Sequence, residues 1–225
     1  RAFELKKNID DATQLAMSTT SLNNFFKEVE LDNDVDLSYL PQIEEEMSIA
    51  MVNLPVTITP TFRIKKLGKH GGSDNLVSGI YFPHCDNIIL DCGLAMRENY
   101  STLSSFMHEL GHHYDFTLLD TTPWSTSNSD ERWNELMSTY QNSLKENDEG
   151  LSDKRISYLS TPTEIFARSF ELFLYDLGVT SSFLKTSDEY DHQIEYCAFT
   201  QSDRNKINVI FSDLFPNIKA FTSLS

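Results

Sequence analysis

Ser105-Phe106-Met107-His108-Glu109-Leu110-Gly111-His112-His113-Tyr114-Asp115, or SFMHELGHHYD, carries three histidines and two acids within one helical pattern. Leu103, Phe106, Met107, Leu110, Tyr114, Leu118 and Leu119 recur at helical spacing and make a continuous apolar surface. A helix capped by Ser101 or Thr102 is therefore predicted. His108-Glu109-Leu110-Gly111-His112 fits H-E-x-x-H, in which two imidazoles four residues apart lie one turn apart on one face. Such a pair can share a zinc ion at about 2 Å from each nitrogen. Glu109 projects beside them, placed to take a proton from an activated water and return it to a leaving amine.

The plainer reading is a solvated helix that happens to carry two histidines. Gly111 argues against it, because glycine inside a helix costs about 1 kcal/mol relative to alanine. A small residue there permits close approach of another backbone. His113 lies a helical step of about 100° from the metal face and is expected to support the site from behind or to lie at the surface.

A catalytic zinc takes three protein ligands and leaves a position for water. The pattern with glycine and a third histidine further along the same segment is absent, since Tyr114, Asp115 and Leu118 do not supply it. A carboxylate from a later helix is the remaining source. Thr161-Pro162-Thr163-Glu164-Ile165-Phe166-Ala167 offers Glu164 beside small Ala167, and Glu171 lies two turns later on the same face. The same stretch reads as a T-x-x-E capping box, with Thr161 as cap and Glu164 at the third position. Two readings thus compete for the Glu164 side chain.

With 18 Lys and Arg against 34 Asp and Glu, the 225-residue chain has a net charge of −16. That surface repels phosphate backbones and anionic headgroups, so nucleic acid and membrane surfaces are disfavoured partners and a basic peptide is favoured. An apolar content of 40% supports a real core. No apolar run approaches the ~20 residues of a membrane span, and no charged-then-apolar leader opens the chain. A soluble piece of a longer protein is expected, which leaves localisation open. Cys85, Cys92 and Cys197 are too few for a disulfide framework. A Cys85–Cys92 bridge stays open, with free buried thiols as the expected state.

One domain is expected, with a helical portion over 1–54 and a catalytic core over 55–225. Helices are predicted over Asp10–Glu30, Leu40–Leu54, Ser129–Lys145, Pro162–Leu177 and Asp203–Thr222. Between Pro55 and Cys92, VTITPTFRIKKL, SGIYFPHC and NIILDC are β-branched or aromatic runs broken by turn residues. They predict a small, mostly antiparallel sheet, and hence an α+β fold with a largely helical remainder.

HELGHHYD, followed about fifty residues later by Ser157-Tyr158 and by TEIFARSF from Thr163 to Phe170, resembles the gluzincin metalloproteases. The likeness is to the catalytic domain of anthrax lethal factor and to zincin-like domains of large phage and mobile-element proteins, over roughly Gly79 to Leu177. The resemblance implies a zincin-like fold, a Zn²⁺ cofactor, hydrolysis of a protein or peptide substrate, and Glu164 as third ligand. It also implies an oxyanion-donating tyrosine, for which Tyr158 is the nearest match, one residue closer than usual. Zincins carry a substrate-pairing edge strand just before the motif helix, where SGIYFPHCDNIIL stands, with Val77, Ile80, Phe82, Ile88 and Leu90 lining the sheet. One position departs from the family. The acid that usually accepts from a ligand histidine, four residues after the ligand glutamate, is Arg168 here, which leaves Glu171 or Asp115 as acceptor. His70 and His84 are expected in loops, and His192 belongs to no motif.

Overall fold

The computed structural model describes residues 7–54, 59–67, 77–91, 103–118, 125–147 and 150–223. Ser101, Thr102, Cys92, His70 and Leu119, all named above, lie outside them. Helix α1 (Asp11–Thr19) is capped by the Asp10 carboxylate, which accepts from the Thr13 N–H. The expected continuation to Glu30 does not form. Thr20 is extended and its hydroxyl caps a 3₁₀ turn at Ser21–Asn24, after which Val29 and Leu31 are buried with strand alternation in β1 (Glu28–Leu31). The N-terminal portion is therefore not wholly helical.

Helix α2 (Leu40–Asn53) has proline in its first turn and buries Leu40, Ile43, Met47, Ala50 and Met51. It connects β1 to β2 (Thr61–Lys65), and a helical crossover of this kind brings two strands into parallel pairing. Strands β3 (Gly79–Phe82) and β4 (Asn87–Asp91) form a hairpin whose turn ends at Asp86, at a φ of +47° that aspartate tolerates.

The sheet order is β1-β2-β4-β3, with β1–β2 and β2–β4 parallel and β3–β4 antiparallel. The sheet is thus mixed, not mostly antiparallel. The crossover helix and the insertion of β4 between β2 and β3 are the cause, and neither leaves a mark on strand periodicity. All five β4 residues are buried. Ile88 and Leu90 face the main core, while Ile89 on the other face meets Leu67, Val77, Ile80 and Phe82.

Helix α3 (Phe106–Thr117) packs across β3 and β4, preceded by a 3₁₀ turn at Leu103–Ser105. After short α4 (Thr126–Ser129) come α5 (Arg132–Glu146), α6 (Asp153–Leu159) and α7 (Pro162–Asp176), and α7 packs against α3. Short α8 (Ser187–His192) and α9 (Ile194–Cys197), both unanticipated, lead into α10 (Gln201–Leu214). Phe211 of α10 packs among Trp133, Phe166, Phe170 and Phe173, which fixes α10 to α7. The expected extension of this helix to Thr222 fails at Pro216, which disfavours helical backbone at Phe215; Thr222 instead bridges Thr180.

Cys85 and Cys197 are free and exposed instead of buried, one on the hairpin turn and one at the end of α9. Among the described residues no helix is long and apolar enough to cross a membrane.

Candidate metal centre

The layering of α3 between the sheet and α7 creates the site. Gly111 has no side chain at the α3–α7 crossing, where an added Cβ would lie 2.9 Å from the Ala167 Cα. That contact lets Glu164, one turn before Ala167, reach the histidine face of α3. His108 Nε2 lies 3.4 Å from Glu164 Oε2, and His112 Nε2 lies 3.4 Å from Glu164 Oε1. One ligand atom from each of His108, His112 and Glu164 falls within 4.8 Å of the others. Tetrahedral ligands about 2 Å from a zinc ion sit about 3.3 Å from one another, so the donor types and the two 3.4 Å separations are compatible with a metal of this kind.

The capping reading of Glu164 is not realised. Thr161 makes no side-chain cap, and its hydroxyl donates to the Tyr158 carbonyl at 2.9 Å. Glu164 is left to face the imidazoles. Burial works against its charge, but hydrogen bonds from His108 and His112, and the Arg168 guanidinium, hold its carboxyl well below the ordinary value.

Glu171 does not join the His-His-Glu group. Its Oε2 meets His108 Nδ1 at 2.9 Å on the far side of the ring and accepts from the Tyr196 hydroxyl at 2.8 Å. Its Oε1 accepts from Lys185 Nζ at 2.6 Å. Although it is wholly buried, which raises its pKa, Lys185 and His108 bring it down to about 2. Burial likewise opposes charge on His108, but its hydrogen bonds to Glu164 and Glu171 outweigh that and raise the imidazole to about 9. Glu171 is therefore the residue that orients His108, in the manner of a carboxylate behind a metal-binding imidazole. Asp115 is committed elsewhere, accepting from the Ser127 N–H at 2.7 Å and the Ser127 hydroxyl at 2.8 Å.

Glu109 is 6% exposed and lies under β3, where a Cβ on Gly79 would come within 2.9 Å of its Cγ and Oε1. Burial raises its pKa, against the pull of His108 and His112. A carboxylate tuned upward is better suited to carry a proton at neutral pH. Tyr158 lies on α6, 44% exposed, and its phenol is raised by burial and then by the Glu164 carboxylate. The Arg155 and Arg168 guanidinium groups each lie over its ring, 5.4 and 5.6 Å from the centroid.

His113 is fully buried, not a surface residue. Its Nδ1 contacts Asp86 Oδ1 at 2.7 Å, and the Tyr81 hydroxyl donates to the same oxygen at 3.0 Å. This contact pins the β3–β4 turn to α3. His84 is exposed on that turn, and exposed His192 contacts Asp188. Sequence reasoning missed Asp86, Lys185 and Tyr196. Asp86 left a signal, an aspartate in a turn, but the other two are joined to Glu171 only by tertiary packing.

Residues 152–221 match the family model of Large polyvalent protein-associated domain 1. That agrees with the likeness to domains of large polyvalent phage and mobile-element proteins. The matched segment contains Tyr158, Glu164, Arg168, Glu171, Lys185 and Tyr196, while the two histidines and Glu109 precede it. No curated protein and no solved structure matches the chain.

Proposed function

We propose that this chain is a zincin-like, zinc-dependent endopeptidase. The observation that carries the reading is the convergence of His108, His112 and Glu164 to within 4.8 Å, with Glu109 buried alongside. Those three residues would hold the metal, with Glu171 fixing the His108 ring. Zinc bound there would supply Lewis acidity toward the scissile carbonyl and toward the attacking water. Glu109 accepts the proton of that water at a carboxylate oxygen as the C–O bond forms, then passes it to the amide nitrogen as the C–N bond breaks. The Tyr158 hydroxyl donates to the oxygen on which negative charge develops. A net charge of −16 favours a basic peptide segment as substrate.

Metal analysis combined with cleavage of a mixed peptide pool tests the reading. One zinc per chain and turnover by the native protein, with zinc retained and turnover lost in Glu109→Gln, is the expected result. Unchanged cleavage by Glu109→Gln overturns the mechanism. A second reading is a catalytically weak, zincin-like interaction module of a larger protein. The Arg168 contact with Glu164 and the match to a polyvalent protein-associated domain favour it. Stoichiometric zinc without turnover on any peptide pool would select it.

A further inference from the structure

Arg168 has no part in the chemistry above, yet it sits against the candidate third ligand. Its side chain is 5% exposed, its Nη2 pairs with Glu164 Oε2 at 2.9 Å, and its Nη1 donates to the Glu164 carbonyl at 3.1 Å. The same Oε2 faces His108 Nε2. Glu164 Oε1 faces His112 Nε2, so guanidinium and metal would share the Glu164 carboxylate. A guanidinium does not shed its proton in a protein, so its charge stays whether or not a metal is present.

Three carboxylates, Glu109, Glu164 and Glu171, are buried around the two imidazoles. Lys185 answers Glu171, and Arg168 answers Glu164. A buried carboxylate stripped of its partner is strongly destabilising, so Arg168 lets α7 dock on α3 before any metal arrives. The same positive charge repels a dication one carboxylate away.

Resting on the zinc reading, we infer that Arg168 is a built-in counter-ion to Glu164: it keeps the metal-free centre folded and makes zinc binding weak and reversible. Occupancy then follows the free zinc concentration. Arg168 acts through Glu164 and is a positioning residue.

The test compares the wild-type 225-residue chain, Arg168→Met and Arg168→Lys by zinc competition against a chromophoric chelator and by thermal melts in EDTA. Arg168→Met, which removes the charge, binds zinc at least about tenfold more tightly and melts lower without metal. Arg168→Lys, which keeps the charge, stays within about threefold of wild type. If Arg168→Met does not fold in EDTA, zinc restores it; failure to fold in either condition overturns the inference. Unchanged or weaker zinc binding by Arg168→Met also overturns it, while leaving the zinc centre standing. Absence of zinc uptake by the wild type removes the centre itself, and this role with it.

Discussion

Gly111 and Ala167 touch backbone to backbone: a Cβ on Gly111 would lie 2.9 Å from the Ala167 Cα and 3.2 Å from its carbonyl oxygen. Neither atom is the end of a flexible side chain. Gly111→Ala gains about 1 kcal/mol of helix propensity but must part α3 from α7, and overpacking of this kind costs about 1–3 kcal/mol. A lower denaturant midpoint with weakened zinc uptake is expected. A stabilised variant with normal uptake would show that the crossing has room.

Gly79→Ala should behave differently, because the added Cβ would meet the Glu109 side chain instead of backbone. That side chain can swing away, so the fold should lose less than about 1 kcal/mol. Displacing Glu109 should lower peptide turnover by about tenfold or more while zinc stays bound. Equal turnover by the variant would remove Glu109 from the proton transfer.

The metal-free protein should have a stability optimum on the acid side of neutral. His108 titrates at about 9 against an ordinary 6.5, so its contribution is complete below 6.5 and lost as pH rises through 9. Glu171 titrates at about 2 against an ordinary 4.5, so its contribution is complete above 4.5 and lost as pH falls through 2. For this pair the plateau runs from 4.5 to 6.5. Zinc takes the deprotonated imidazole, so the zinc-loaded form should hold its melting temperature to higher pH. Melts across pH in EDTA and in zinc check both statements; a metal-free melting temperature that climbs toward pH 9 contradicts the first.

Asp115 gives the opposite sign for a carboxylate. Burial raises it to about 6, against the Ser127 hydrogen bonds that lower it, so relative to an ordinary 3.8 its contribution fades as pH rises through 6. Asp115→Asn keeps an acceptor for the Ser127 N–H and removes the buried charge. It should gain about 1 kcal/mol over wild type between acid and mildly alkaline pH. Asp115→Ala, which strands the Ser127 donors, should lose about 1–3 kcal/mol at both ends. Paired denaturant titrations measure each.

Much of the candidate centre is legible in the sequence because its determinants are local. His108, Glu109 and His112 share one helix, and a glycine within that helix, Gly111, signals the close backbone neighbour that Ala167 provides. Glu164 was ambiguous for a physical reason: Thr161 could cap the helix with the help of that side chain, and only the docking of α3 draws it away. The parallel pairing of β1 with β2 was invisible, because β1 is four residues long and follows a helix that Thr20 interrupts. Of the two acids that could stand behind His108, Glu171 contacts its Nδ1, whereas Asp115 is taken up by the Ser127 N–H and hydroxyl. Lys185 and Tyr196 carry no local signature of their contact with Glu171.

His108 and Glu171 meet across 63 residues of chain. Closing a loop of that length costs roughly 4 kcal/mol in chain entropy, which the docking of two helices must recover. In the unfolded ensemble the two histidines face solvent without Glu164 or Glu171 and are at best a poor bidentate chelate. On the proposed zinc reading, formation of the three-ligand set would therefore mark the moment at which α3 and α7 come together. A refolding trace followed by a zinc-sensitive dye would time that single event.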